Sequence, residues 1–415
     1  MFRPLQTTPA APSVAPRHSD VVLQPYGRSF WATYAGNVAL MVAVSLLFRF
    51  ADFVKLVGGG ELLLGWVVGI GTVGSLTMRL AQGTMIDRCG ARFAWAVSLV
   101  AVIVALLAHL WISADAVPAL FAVRILYQCG IAGAFGASIT FISLRAPADR
   151  MAEMIGMLGS SGFVGMALGS QLGDWICHES PVTRAAIDQL FVAAAGLAAF
   201  SLLACLVATY RVPRRAASRR VPALLLLRRY HPGRMLLMGT AMGIGLGLPG
   251  TFVRPFTESI DVTRIGTFFG VYAVSAFLFR MAMRRVPDRI GAARASLLGM
   301  AAVVLGLLSF LSVQTAPGLV LPALLNGLGH ALLFPSAMAG GSRSFPTRYR
   351  GLGVTIMLGS FDLGNLIGMP LAGTILYAAE QAAWPPFPTM FICTASLLAA
   401  VCLIFVRLPA NTVRT

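Results

Sequence analysis

Apolar residues run along this chain in long, non-alternating stretches separated by short polar segments. Twelve such stretches occupy 30–54, 62–82, 93–112, 117–144, 153–177 and 188–210, then 234–256, 264–283, 294–314, 317–342, 351–378 and 386–408. Each is close to the roughly 20 residues that a helix rising about 1.5 Å per residue needs to cross a hydrocarbon slab about 30 Å thick. Open sheet edges cannot face lipid, and the runs are too long for barrel strands. The predicted fold class is therefore all-α: a polytopic membrane protein with twelve transmembrane helices.

Composition agrees with this pattern. Hydrophobic residues make up 57% of the chain and charged residues 11%, far from the mix of about half apolar and a quarter charged in soluble domains. The net charge of +17 raises the question of nucleic acid, but the arginines gather in alternate loops, so no nucleic-acid partner is expected. Arg3, Arg17 and Arg28 precede the first stretch, Arg88 and Arg92 follow the second, and Arg145 and Arg150 separate the fourth from the fifth. Arg284, Arg285 and Arg289 follow the eighth, Arg343, Arg348 and Arg350 precede the eleventh, and eight arginines from Arg211 to Arg234 fill the middle. The opposite loops carry mainly Lys55, Glu61, Asp115, Glu179, Arg184, Asp188 and Glu380. Basic loops stay inside, which predicts an inner cell membrane protein with both termini in the cytoplasm.

Residues 1–29 are Pro- and Ala-rich and lack a short apolar core followed by a cleavage site, so a disordered cytoplasmic tail is expected there, with a second short tail at 409–415. The six cysteines, Cys89, Cys129, Cys177, Cys205, Cys393 and Cys402, are dispersed without metal-ligand spacing. No disulfide framework, metal or cofactor is expected.

Sliding the sequence by 201 residues lays LGWVVGIGTVGSLTMRLAQGTMIDRCG (64–90) on IGTFFGVYAVSAFLFRMAMRRVPDRIG (265–291) without a gap. Gly65, Gly69, Arg79, Asp87, Arg88 and Gly90 fall on Gly266, Gly270, Arg280, Asp288, Arg289 and Gly291. Such a parallel duplication implies two pseudo-symmetric six-helix bundles packed about an axis along the membrane normal, with a cavity between them near the midplane. The predicted domains are an N-terminal bundle over 30–210, a basic cytoplasmic linker over 211–233 and a C-terminal bundle over 234–408. The linker reads first as a solvated tether and second as a lipid- or partner-binding segment.

The segment Gly83-Thr-Met-Ile-Asp87-Arg88-Cys-Gly90-Ala-Arg92 lies between two predicted spans and is echoed at Asp288-Arg289-Ile-Gly291. It resembles the signature loop between helices 2 and 3 of the major facilitator superfamily, and the whole chain looks like a twelve-helix member of that superfamily. Glycines there permit a tight reversal, Asp87 can face the positive end of a neighbouring helix, and Arg88 and Arg92 can bridge acidic groups or lipid phosphates. The resemblance implies a cytoplasmic latch favouring the outward-facing state; a purely topogenic basic loop stands beside it. In the second copy Arg284 replaces Gly83.

On helix 5, Gly156, Gly165, Gly169 and Gly173, with Ser160 and Ser161 between, resemble the superfamily's antiporter motif, which implies export by exchange. That motif carries Pro after its third glycine and Gly or Ala at its end, where this chain has Ser170 and Asp174. Small residues every four positions also let two helices approach closely, so a packing role stays open. Gly364, Gly368, Pro370 and Gly373 on helix 11 echo the pattern. The segments Asn326-Gly-Leu-Gly-His330-Ala-Leu-Leu-Phe334-Pro335 and Phe361-Asp362-Leu-Gly364 look like the sugar-efflux and drug-efflux branch.

Ionisable groups inside a span cost about 2.5–3.5 kcal/mol or more, so each is a functional candidate. Asp362 on helix 11 and His330 on helix 10 lie at mid-membrane depth, and the resemblance makes those helices neighbours lining the cavity. Low dielectric favours a neutral carboxyl, which lets Asp362 bind and release a proton that His330 shares. Structural roles for both remain open. Arg124 on helix 4 is the counterpart of the superfamily's embedded arginine, although the glycine usually four residues on is here Gly130, six away. Asp362, His330 and Arg124 are the expected proton-coupling residues. Asn37, Gln128, Asn326 and Asn365 are the expected cavity residues, Gln128 lying one turn beyond Arg124 on the same face. Arg49 with Asp52, and Arg254 with Glu258, are spaced to form ion pairs at the outer mouth. Arg49, Arg124 and Arg254 together favour an anionic or zwitterionic solute. Glu153 reads as first-turn capping of helix 5.

The sequence is thus read as a secondary active transporter that exports a small organic solute by proton antiport through alternating access. Its partners would be that solute, protons and membrane lipids, and its working unit a monomer. Uptake symport of a small organic anion or sugar is the alternative that Ser170 keeps open. Asp362 argues against a transceptor or assembly subunit that has lost transport. No GxxxxGK[ST] loop occurs and no nucleophile is paired with a base at helical spacing, so neither ATP hydrolysis nor enzymatic activity is expected.

Overall fold

The computed structural model describes residues 24–113, 116–147, 149–179, 181–210 and 229–408. The expected tails over 1–23 and 409–415, Asp115, and the basic linker as far as residue 228 lie outside the described residues.

All regular structure among the described residues is helical. Its α-helices are α1 (Arg28–Leu46), α2 (Phe50–Leu56), α3 (Glu61–Cys89), α4 (Ala91–Ala108), α5 (Val117–Ser143), α6 (Met151–Ile176) and α7 (Arg184–Ala208). Then come α8 (Arg234–Ser259), α9 (Gly266–Ala282), α10 (Val286–Ile290), α11 (Ala292–Ser309), α12 (Val320–Ser342), α13 (Arg350–Gln381) and α14 (Pro386–Arg407). Among the described residues, ten helical segments are long and apolar enough to cross a membrane. The predicted stretch 264–283 falls on α9, an apolar helix of only 17 residues, and 153–177 falls on the glycine-rich α6.

Apolar side chains alone do not end these helices; local chemistry does. Thr183 opens α7 by accepting the Ala186 N–H at 3.3 Å. Arg184 donates to the carbonyls of His109, Leu110 and Ile112 at 3.0–3.3 Å, closing the end of the α4 segment, and Arg234 does the same for Phe405 and Leu408 at the end of α14. The second span extends beyond its predicted end at residue 82, through Cys89. Gly83, Asp87 and Arg88 are therefore helical, because one interior glycine costs only about 1 kcal/mol against a helix already propagated over five turns. The reversal falls on Gly90 alone, at φ 88° and ψ 156°, a conformation closed to L side chains. Its repeat partner Gly291 has φ 86° and ψ 150°, directly before α11.

α1 packs on α6 and α7, and α5 on α3 and α4; beyond the linker, α12 packs on α9 and α11, and α8 on α13. Contacts across the linker run through α3 with α13, α6 with α9, and α2 with α8. At Gly65 and Gly69 the α3 backbone lies directly against Met369, Pro370 and Gly373 of α13, where a Cβ would collide. Both α3 and α9 run from this tightly joined end toward the Gly90 and Gly291 turns, so the two turns share the opposite end of the molecule.

Candidate functional site

The joined end is locked by charge. Arg49, at the short 3-10 turn between α1 and α2, meets Asp52 at 3.2 Å and Asp174 of α6 at 2.7 Å, and donates to the Thr263 carbonyl at 2.9 Å. Arg254 of α8 donates Nε to both Asp52 carboxylate oxygens at 2.8 and 3.0 Å. Asp174 also accepts the backbone N–H groups of Ile265 (3.2 Å) and Gly266 (2.7 Å), the positively polarised start of α9. Two guanidinium groups and two carboxylates thus balance in a site where none is more than 8% exposed. Burial of four charges is tolerable only when each is paired this closely. The expected pair Arg254–Glu258 does not form. The buried arginine takes the buried Asp52, and Glu258 pairs instead with Lys55 at 2.5 Å on the exposed rim.

Farther along α3, Arg79 pairs with Asp362 of α13, another charged link across the linker. His330 of α12 shares a 3.0 Å hydrogen bond with the Tyr272 hydroxyl of α9, not with Asp362. Its ring lies 5.5 Å from Phe163 of α6 and 5.6 Å from Phe334. Arg124 lies in a third place, its guanidinium 4.3 Å from the Phe50 ring and 5.0 Å from the Tyr127 ring. Its Nε and Nη1 are buried with no hydrogen-bond partner among the described residues. The three expected proton-coupling residues are therefore not brought together, because each has an aromatic or ionic partner on its own neighbouring helix.

Of the expected cavity residues, Asn37 is buried on α1 with its Oδ1 unpartnered among the described residues. Gln128 and Arg124 flank the same point of α3, Gly71. Asn326 is fully buried beneath Gly306, donating to the Pro322 carbonyl at 2.8 Å, which makes it a packing residue between α11 and α12. Asn365 donates to Phe361 at 3.1 Å and lies against Gly247 of α8. Gly165, Gly169 and Gly173 of the helix 5 motif face α1, where a Cβ on Gly169 would stand 2.6 Å from the Val42 carbonyl oxygen. A Cβ on Gly156 would meet open space. Gly364 and Gly368 likewise face α8, so the glycine motifs of both helices are accounted for chiefly by packing. Asp288 and Arg289 sit in α10, a separate five-residue helix, whereas Asp87 and Arg88 end α3 and Arg92 begins α4. Glu153 accepts a hydrogen bond from the Tyr26 hydroxyl at 2.5 Å, which raises the Tyr26 pKa above its ordinary value.

Sequence reasoning missed Arg79 as the partner of Asp362, Asp174 as the hinge of the charge lock, and the aromatic setting of Arg280. The signals were present: the repeat aligned Arg79 with Arg280, and Asp174 stood out as a charged residue at the end of a glycine motif. Chemically, the arrangement can hold one end shut while keeping a carboxylate, an imidazole and two guanidinium groups, Arg124 and Arg280, that have no ionic partner among the described residues.

Comparison with known proteins follows the same lines. The sequence matches a family model described as Major Facilitator Superfamily over residues 29–254 and 235–415. It is 24% identical over 331 residues to an uncharacterized MFS-type transporter of Salmonella typhimurium, covering 76% of this chain and 80% of that protein. Its fold is similar to crystal structures of nucleoside transporter NupG (TM-score 0.72, 15% identity, 92% of this chain and 98% of that one) and of a D-xylose-proton symporter (TM-score 0.74, 16% identity, 94% and 99%).

Proposed function

The chain belongs to the Major Facilitator Superfamily, a multi-pass membrane transporter and not an enzyme, and from that premise we propose that it couples proton movement to the passage of a small organic solute. In this reading twelve spans form two six-helix bundles, 30–210 and 234–408, that rock about a central site in the inner membrane with both termini in the cytoplasm. The charge lock of Arg49, Asp52, Asp174 and Arg254 then closes the outer face, and the Gly90 and Gly291 turns face the cytoplasm.

The observation that carries the reading is the Arg79–Asp362 pair, which links α3 to α13 across the linker. A solute anion that enters between the halves and draws Arg79 off Asp362 frees that carboxylate to accept a proton, so solute and proton load together; both then leave with charge balanced. Loading by assistance in this way is cotransport. Exchange requires instead that proton and solute compete for one group. The geometry therefore favours proton symport of an anionic solute. Export by antiport is the second reading, and it retains the support of the helix 5 motif, of which Gly156 alone is not engaged in packing.

Proteoliposomes under an imposed pH gradient test this, with a mixture of small carboxylates, sugars and nucleosides followed by mass spectrometry. The intact chain is expected to concentrate at least one solute about tenfold or more along the proton gradient, and Asp362→Asn is expected to lose that enrichment. Equal enrichment by both versions would remove Asp362 from coupling, and movement of the solute against the protons would favour export.

A further inference from the structure

The repeat places Arg79 and Arg280 at matching positions, but only Arg79 has a carboxylate. The Arg280 guanidinium instead lies 4.9 Å from the ring of Phe163, across the linker on α6. Its Nε is buried without a partner, and it makes no ion pair among the described residues. A half-buried cation with one N–H cut off from water and left unpaired is costly, and a neighbouring π face offsets only part of that cost. Such a site is completed by an anion from outside the protein.

The surroundings define the body of that anion. Phe163 bridges Arg280 to His330, whose ring is 5.5 Å away. Tyr272 and Phe334 close the other sides of the imidazole, with centroids 5.9 and 5.6 Å from it. Tyr272 occupies the Nδ1 side of His330. Gly159, one turn before Phe163 on the same face of α6, meets nothing within 4 Å when a Cβ is built on it, so there is room beside the ring. Aromatic faces on both halves, with one guanidinium at their edge, suit a flat unsaturated skeleton bearing a negative group.

We infer that the space between α6, α9 and α12 binds a small organic acid with a planar unsaturated body, its anionic group on Arg280 and its ring against Phe163 and His330. The inference rests on the carrier reading for its place in the transport path and names the substrate class for it. Its location differs from the lock arginines, since Arg49 and Arg254 are already neutralised by Asp52 and Asp174.

The test is equilibrium binding of benzoate, with benzylamine and acetate alongside, to the intact chain in nanodiscs by calorimetry. No gradient is present, so the result is read independently of coupling and direction. Benzoate is expected to bind more tightly than acetate, with no competition from benzylamine. Arg280→Gln is expected to weaken benzoate about tenfold or more, Arg280→Lys much less, and Phe163→Leu severalfold. Should Arg280→Gln fail to give a monodisperse protein, the Lys and Leu variants decide the matter. Absence of benzoate binding to the intact chain, equal binding of benzylamine, or affinity unchanged in both Arg280→Gln and Phe163→Leu would overturn the inference.

Discussion

Arg79 and Arg280 occupy matching points of a duplicated sequence and end in opposite surroundings, one against Asp362 and the other against Phe163. The turns that follow them are alike to within a few degrees, at Gly90 and at Gly291. The backbone is alike at the two turns while the charge balance around the two arginines differs. A guanidinium with an internal carboxylate is held by the protein itself until that carboxylate is released. One without is open to a ligand.

The strongest challenge to this contrast is Arg79→Gln against Arg280→Gln. Removing Arg79 strands the buried Asp362 and is expected to cost up to about 3–5 kcal/mol, read as a lower thermal midpoint in detergent. Arg280→Gln deletes no ionic partner, and its midpoint should move by the equivalent of about 1 kcal/mol or less. Equal losses would abolish the distinction. A middle-sized effect sharpens the shared part: Gly90→Ala and Gly291→Ala should each lose about 1–3 kcal/mol, since both hold a backbone conformation that L residues avoid. A loss at only one of them would mean that the turns are not equivalent in solution. The smallest effect concerns Lys55, whose side chain is 70% exposed in its pair with Glu258. Lys55→Met should change the midpoint by less than about 1 kcal/mol, and a larger drop would promote the rim pair to part of the lock.

The apolar stretches, the duplication and the turn at Gly90 were legible because each is local: a run of apolar residues or one glycine that no other residue can replace. Partner choice was not. Local spacing paired Arg254 with Glu258, but Asp52, 202 positions away, won because helices α2 and α8 bring it there under cover from water. Arg79 and Asp362 are 283 positions apart, joined only by the approach of α3 to α13. The helix 5 glycines carry two meanings in the sequence, and their packing against α1 becomes visible only in the fold. His330 and Asp362 shared a depth in the slab, yet depth carries no information about which face of a helix meets which neighbour.

Asp174 is an acidic stopper on the opening amides of α9. Parting α6 from α9 would strip it of two amide donors and take the Thr263 carbonyl from Arg49 in one motion, so that face unlatches as a unit or not at all. Mobile ions on that side screen the carboxylate once it is wetted. The saltiness of the medium that bathes this face thereby becomes a throttle on how often the door swings.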